Sequence, residues 1–193
     1  MNAPPRDTIF SASPSATFDA GVLLGRLAQR GDVIALTGGL GAGKTALTQG
    51  IASGLGTVGH VPSPTFNILL VHRALLTLNH FDLYRLDTAD QLEDIDFYAT
   101  LESGGVSVIE WADRFPAELP DDHLAIVIET TGESERTLHV SGRGAASNQV
   151  LARPGCSRDA QEWSVIGRGL RAAAREVQPK GRWRVGDVGL AAR

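Results

Sequence analysis

The sequence predicts an α/β fold of three layers, a small and mostly parallel sheet between helices, with an antiparallel hairpin at the C-terminal end. Three observations carry this reading. The run Gly38-Gly39-Leu40-Gly41-Ala42-Gly43-Lys44-Thr45 fits the phosphate-binding pattern GxxxxGK[ST] at every fixed position. Apolar residues 32–37 enter it as a strand, and residues 46–52 leave it as a helix. A second short apolar run, residues 106–109, ends in Glu110-Trp111 and reads as another buried strand. Finally, residues 124–128 and 136–140 flank the turn 131–134 and read as a hairpin.

Taken in order, residues 1–14 are polar and Pro-rich and read as a loose lead-in without an apolar signal core. Ser15 or Thr17 is placed to cap a helix running to about Gln29, with Val22, Leu23, Leu27 and Ala28 on its buried side and Gly31 past its end. In the glycine loop the backbone can turn tightly enough for successive N–H groups to face an anion. The following helix adds the positive end of its dipole. Residues 61–66, Val-Pro-Ser-Pro-Thr-Phe, form a stiff extended loop, because each proline pushes its predecessor out of the helical region. Residues 67–73 and 75–81 pair as strands. Thr88-Ala89-Asp90-Gln91 has capping-box spacing and opens a short helix. Beyond Gly144 the composition shifts to Arg, Ala and Gly, with one helical stretch over residues 161–177. The organisation is therefore a domain over residues 1–144 and a basic extension over residues 145–193.

Composition bounds the function. With 42% apolar residues the chain can build a core without staples. Its single cysteine, Cys156, excludes an internal disulfide framework and a Cys-rich metal site. No stretch approaches the roughly 18 apolar residues of a membrane span, so the expectation is a cytoplasmic protein without a membrane partner. The net charge is −4, but residues 145–193 hold nine Arg and Lys against four acids. That segment carries +5, leaving −9 for the rest. Such asymmetry suits either contact with nucleic acid or an acidic partner, or a solvated extension.

The chemistry-bearing residues follow from the loop. Lys44 neutralises outer phosphates as a compact charge, and the Thr45 hydroxyl is placed for Mg²⁺. Mg²⁺ needs further hard oxygen ligands. Glu110 is the best candidate, because ligands gather at the carboxyl ends of parallel strands. A surface or capping glutamate is the alternative. Asp82, in Asn79-His80-Phe81-Asp82-Leu83-Tyr84-Arg85-Leu86, suits a carboxylate that orients or deprotonates a water, or that supports the metal shell. A helix N-cap, or an ion pair with Arg85, is the alternative. Ser63 and Thr65 are candidate sensors of a terminal phosphate, and Arg85 or Arg136 candidate phosphate-binding arginines. The five histidines have no ligand spacing that suggests zinc. Trp163 and Trp183 read as packing anchors of the extension.

The glycine loop, Ser63-Pro64-Thr65-Phe66, His80-Phe81-Asp82-Leu83-Tyr84-Arg85-Leu86 and Ile109-Glu110-Trp111, in this order, resemble the TsaE (YjeE) family over about residues 10–143. The resemblance implies a P-loop NTPase-like fold and Mg²⁺-dependent ATP hydrolysis linked to a TsaB–TsaD pair. TsaD transfers a threonylcarbamoyl group to an adenosine beside the tRNA anticodon, and TsaE resets that complex, so tRNA is met only through the complex. Carried over, Lys44 is the catalytic loop lysine and Thr45 and Glu110 are the metal ligands. Asp82 is the acid proposed to act on water. The nucleotide is held by Gly39, Leu40, Gly41, Ala42, Gly43, Lys44, Thr45 and Ala46, with Trp111 beside it and Thr17 approaching from the N-terminal side. Two departures stand out. Gly39 occupies a position often acidic in relatives, and the stretch after Gly144 exceeds the family's usual length.

Other classes remain to be weighed. A small-molecule kinase shares the loop and the metal, but residues 46–144 hold few, scattered arginines and no Arg-rich lid. Against a nucleotide-gated binding module stand the carboxylates Asp82 and Glu110, which argue against a dead site while leaving very slow turnover open. A GTPase is disfavoured, since no NKxD sequence is present to read guanine.

Overall fold

The computed structural model describes residues 6–59, 61–64, 67–145 and 147. Thr65, Phe66, His60, Cys156, Trp163, Trp183 and the helix expected over residues 161–177 lie outside them. Seven strands form one sheet in the order β1-β7-β6-β2-β5-β4-β3. They are β1 (Arg6–Ser11), β2 (Val33–Thr37), β3 (Leu69–His72), β4 (Leu78–Asp82), β5 (Val106–Glu110), β6 (Leu124–Thr130) and β7 (Arg136–Gly142). The four central strands β6, β2, β5 and β4 run parallel. The flanking pairs β6–β7, β7–β1 and β4–β3 are antiparallel. The mixed sheet with its C-terminal hairpin is as the sequence predicts.

Alternation along β2 splits the interior in two. Ile34 and Leu36 point to one face, where they meet Ala20, Leu24, Leu47 and Ile51 of the helices α1 (Pro14–Leu27) and α2 (Lys44–Gly54). Val33 and Ala35 point to the other, against Phe81, Leu92, Phe97 and Phe115. That second layer is thinner. It consists of a 3-10 helix (Ala89–Ile95), the short helix α3 (Phe97–Glu102) and a 3-10 turn (Ala112–Arg114). The Gln91 carboxamide accepts from the Thr88 N–H at 3.1 Å, as the capping spacing anticipates.

Helices α1 and α2 cross at backbone distance. A Cβ on Gly21 would land on the carbonyl oxygen of Leu47, and one on Gly25 on that of Ile51. Reciprocally, a Cβ on Gly50 would strike the carbonyl of Phe18 and one on Gly54 that of Val22. Spacing of four residues puts each pair on one helix face, so the two glycine faces meet directly.

Two expectations need correction. The lead-in is a strand from Arg6 onward: β1 lies along β7, with Ile9 opposite Leu138 and buried in the α1–α2 core. Pairing with an edge already built supplies what a short segment cannot supply alone. The cap of α1 is Ser13, whose hydroxyl accepts from the Ala16 N–H at 3.1 Å, with Pro14 at the first helical position. Thr17 and Ser15 lie inside the helix.

Candidate functional site

The site forms where β2, β4 and β5 end. β2 runs into the glycine loop and α2 leaves it, starting at Lys44. Because β5 is the parallel neighbour of β2, Leu36 stands opposite Glu110. Because β4 is the next strand, Asp82 stands opposite Glu110 in turn. Register partners share a face, so both carboxylates point to the side on which α2 lies. They are almost wholly buried, at 3% and 2% exposure.

Lys44 donates to the carbonyls of Gly38 at 2.6 Å and Gly39 at 2.9 Å, and its ammonium lies 3.6 Å from the centre of the Trp111 ring. Burial pulls its pKa below the usual lysine range, opposed by the charges of Glu110, Asp113 and Asp82. The Thr45 hydroxyl donates to Glu110 Oε2 at 3.0 Å. Thr48, one turn further along α2, shares its single hydroxyl proton between the Lys44 carbonyl at 3.0 Å and Glu110 Oε1 at 3.3 Å. Asp82 Oδ1 accepts from the Tyr84 N–H at 3.1 Å. This contact closes a turn and caps no helix, since the next helical element begins at Ala89.

Trp111 is held with φ 59°, a left-handed conformation that costs a bulky residue roughly 1–3 kcal/mol. That bend, right after Glu110, lays the indole over Lys44 and against Tyr84, with ring centres 4.8 Å apart. Leu40, Gly41, Ala42, Gly43, Lys44, Thr45, Asp82, Tyr84, Glu110 and Trp111 enclose a cleft of about 280 Å³. It is smaller than the 650 Å³ cleft around Arg30, Asn79 and Gly105, but it alone of the two holds the loop and the carboxylates.

The remaining sequence candidates fall as follows. Thr17 is buried and shares a 2.7 Å hydrogen bond with Ser11. Its methyl lies 3.6 Å from where a Cβ on Gly43 would stand. It supports the loop from below without lining the cleft. Gly39 is exposed, and a Cβ there would meet nothing within 4 Å, as expected for an outward position. Ala46 lies in the first turn of α2 outside the cleft wall. Ser63 and Arg85 are exposed and do not line it. Arg136 grips the outside of the loop, donating to the carbonyls of Ala42 at 2.9 Å and Gly41 at 3.2 Å. It also donates to Gly132 and Glu135 of its own hairpin turn.

Sequence reasoning missed Thr48, Tyr84 and His80. His80 is fully buried, and its Nε2–H donates to Glu110 Oε1 at 2.8 Å. A signal for it existed: His80 is two residues before Asp82 on a strand, hence on the same face. Next to it, burial and then His80 itself hold the His72 pKa below the ordinary histidine range.

The oxygens assembled here suit Mg²⁺. A threonine hydroxyl and a buried carboxylate 3.0 Å apart, with a second buried carboxylate on the adjacent strand, are hard donors. Among the described residues no cluster of three or more His, Cys, Asp or Glu forms a cage for a metal.

Comparison with known proteins shows the family. A family model described as "Threonylcarbamoyl adenosine biosynthesis protein TsaE" matches residues 11–138. The chain belongs to the TsaE family. That span contains every site residue from Thr17 to Arg136. The chain is 38% identical over 131 residues to the tRNA threonylcarbamoyladenosine biosynthesis protein TsaE of Treponema pallidum (strain Nichols), covering 68% of this chain and 97% of the relative. It is also 38% identical over 135 residues to the TsaE protein of Bacillus subtilis (strain 168), covering 69% and 84%. The crystal structure of Bacillus subtilis YdiB superimposes with a TM-score of 0.66 at 28% identity, over 86% of this chain and 98% of that one. Among the described residues no helix is long and apolar enough to cross a membrane.

Proposed function

We propose that this TsaE-family chain acts in threonylcarbamoyladenosine biosynthesis on tRNA as a Mg²⁺-dependent ATPase, its turnover coupled to a TsaB–TsaD pair. The observation that carries the reading is the convergence of Lys44, Thr45, Glu110 and Asp82 on one cleft at the carboxyl ends of adjacent parallel strands. The glycine-loop N–H groups and the start of α2 would hold the phosphates, and Lys44 would leave its loop carbonyls to pair with them. Thr45 and Glu110 would hold Mg²⁺, which when bound offsets charge on the phosphate oxygens. Asp82 is placed to orient the attacking water and accept its proton. The aromatic pair Trp111 and Tyr84 walls the cleft and keeps bulk water from Lys44. Phosphoryl transfer relies mostly on positioning and charge stabilisation, so a site completed by a partner is physically reasonable.

The test is phosphate release from ATP by the purified protein, alone and with the TsaB–TsaD pair, with no other acceptor present. Slow release that rises when the pair is added supports the coupled ATPase. Background release with nucleotide still bound would overturn it in favour of a gated binding module or a kinase lacking its acceptor.

A further inference from the structure

Glu110 is gripped more firmly than a single metal ligand needs. Its Oε2 receives the Thr45 hydroxyl, while its Oε1 receives the His80 Nε2–H and the Thr48 hydroxyl, the latter shared with the Lys44 carbonyl. The His80 contact, at 2.8 Å, is the shortest of the three and comes from the strand rather than from α2. His80 is completely buried, and its other nitrogen, Nδ1, has no hydrogen-bond partner. An orphaned buried nitrogen is unfavourable. An aliphatic residue would fill this strand position without that cost, so an imidazole is poorly explained by stability alone. What it supplies is a rigid donor aimed at one oxygen of Glu110.

We propose that His80 is the positioning residue for Glu110: by holding Oε1 against β4 it turns Oε2 toward Thr45, where the metal reading requires it. The inference rests on the proposed Mg²⁺ site, and it assigns the residue that orients that site's protein carboxylate. A ligating carboxylate left without its hydrogen-bonded support can rotate, and loss of such outer partners typically costs 10–100-fold in metal affinity. The role is specific to Nε2, which makes it separable from packing. A glutamine amide N–H can stand close to where Nε2 stands, whereas leucine fills the space without donating.

The test uses the full chain and a fluorescent ADP analogue, titrated with Mg²⁺, with nucleotide affinity also measured in EDTA. His80→Leu should raise the Mg²⁺ concentration for half-maximal effect about 10–100-fold, with metal-free nucleotide affinity unchanged. His80→Gln should restore it to within a few-fold of wild type. Circular dichroism and melting of both variants establish that each is folded. If His80→Leu needs no more Mg²⁺ than wild type, or if His80→Gln is as impaired as His80→Leu, the positioning role is wrong. Should His80→Leu not fold, His80→Gln against His80→Asn decides it, since asparagine is polar but too short to reach Oε1. Equal Mg²⁺ requirements for those two would overturn the proposal. A wild-type protein whose nucleotide affinity ignores Mg²⁺ would instead overturn the metal reading itself, and the two failures are told apart on the wild type alone.

Discussion

Lys44 and Asp82 line one cleft, yet they should fail differently when removed. Among the described residues Lys44 is the only basic side chain lining it, so Lys44→Ala removes charge that ground state and transition state both use. Loss of nucleotide binding, read by calorimetry, is the expected outcome. Asp82 touches the Tyr84 N–H, stands beside Glu110 on the adjacent strand, and lines the cleft without adding positive charge for the phosphates. Asp82→Asn should leave nucleotide affinity within a few-fold and lower kcat by about 10²–10⁴, the usual worth of a positioned acid or base. Unchanged hydrolysis in that variant would remove the role assigned to Asp82. The difference between these residues and His80 also explains what was legible. Lys44 and Thr45 are readable because their spacing within one loop is itself the signal, and Glu110 because it ends an apolar run. His80 and Thr48 are 30 and 62 residues from Glu110. Their meeting depends on strand order and register, which no local pattern states.

At the scale of elements, the position of α2 decides where Lys44, Thr45 and Thr48 stand, and α2 is placed by its glycine contact with α1. Gly50→Ala would gain up to roughly 1 kcal/mol of helix propensity. Against that, its Cβ would collide with the Phe18 carbonyl, a backbone atom that cannot swing away, and overpacking of this kind costs about 1–3 kcal/mol. The helices must part, so the melting temperature should fall by about 2–8 °C, with weaker nucleotide binding as α2 shifts. Gly39→Ala, whose Cβ meets open space, should melt like wild type. Equal melting of the two variants would show that the helix pair tolerates separation. The four-residue glycine spacings are visible in the sequence, but which helix they face is not. β1 was missed for a related reason: a six-residue segment is a strand here only because β7 offers an edge and Ile9 reaches the core. Misplacing the cap of α1 was avoidable, since a serine directly before Pro14 is itself a start signal.

At the scale of the whole molecule, the chain divides by charge, −9 before residue 145 and +5 after it. Every strand among the described residues lies between Arg6 and Gly142. The last ties run from Ser147, whose N–H donates to Asp122 at 2.8 Å and whose hydroxyl accepts from the Gly144 N–H at 2.9 Å. The family match has already ended, at residue 138, and the Treponema relative is covered over 97% of its length by 68% of this chain. The described strands and the cleft lining all precede residue 148, so neither is expected to require the +5 carried by residues 148–193. A chain ending after Ser147 should melt within about 2 °C of the full chain, a shift worth less than roughly 1 kcal/mol at this size. It should bind ATP with unchanged affinity. If the basic segment serves a partner, its loss should appear only with the partner present, as weaker stimulation that higher salt imitates in the full chain, because exposed charges more than about 8–10 Å apart are screened at physiological ionic strength. A truncated chain that melts much earlier, or binds ATP poorly, would instead make residues 148–193 part of the folded unit.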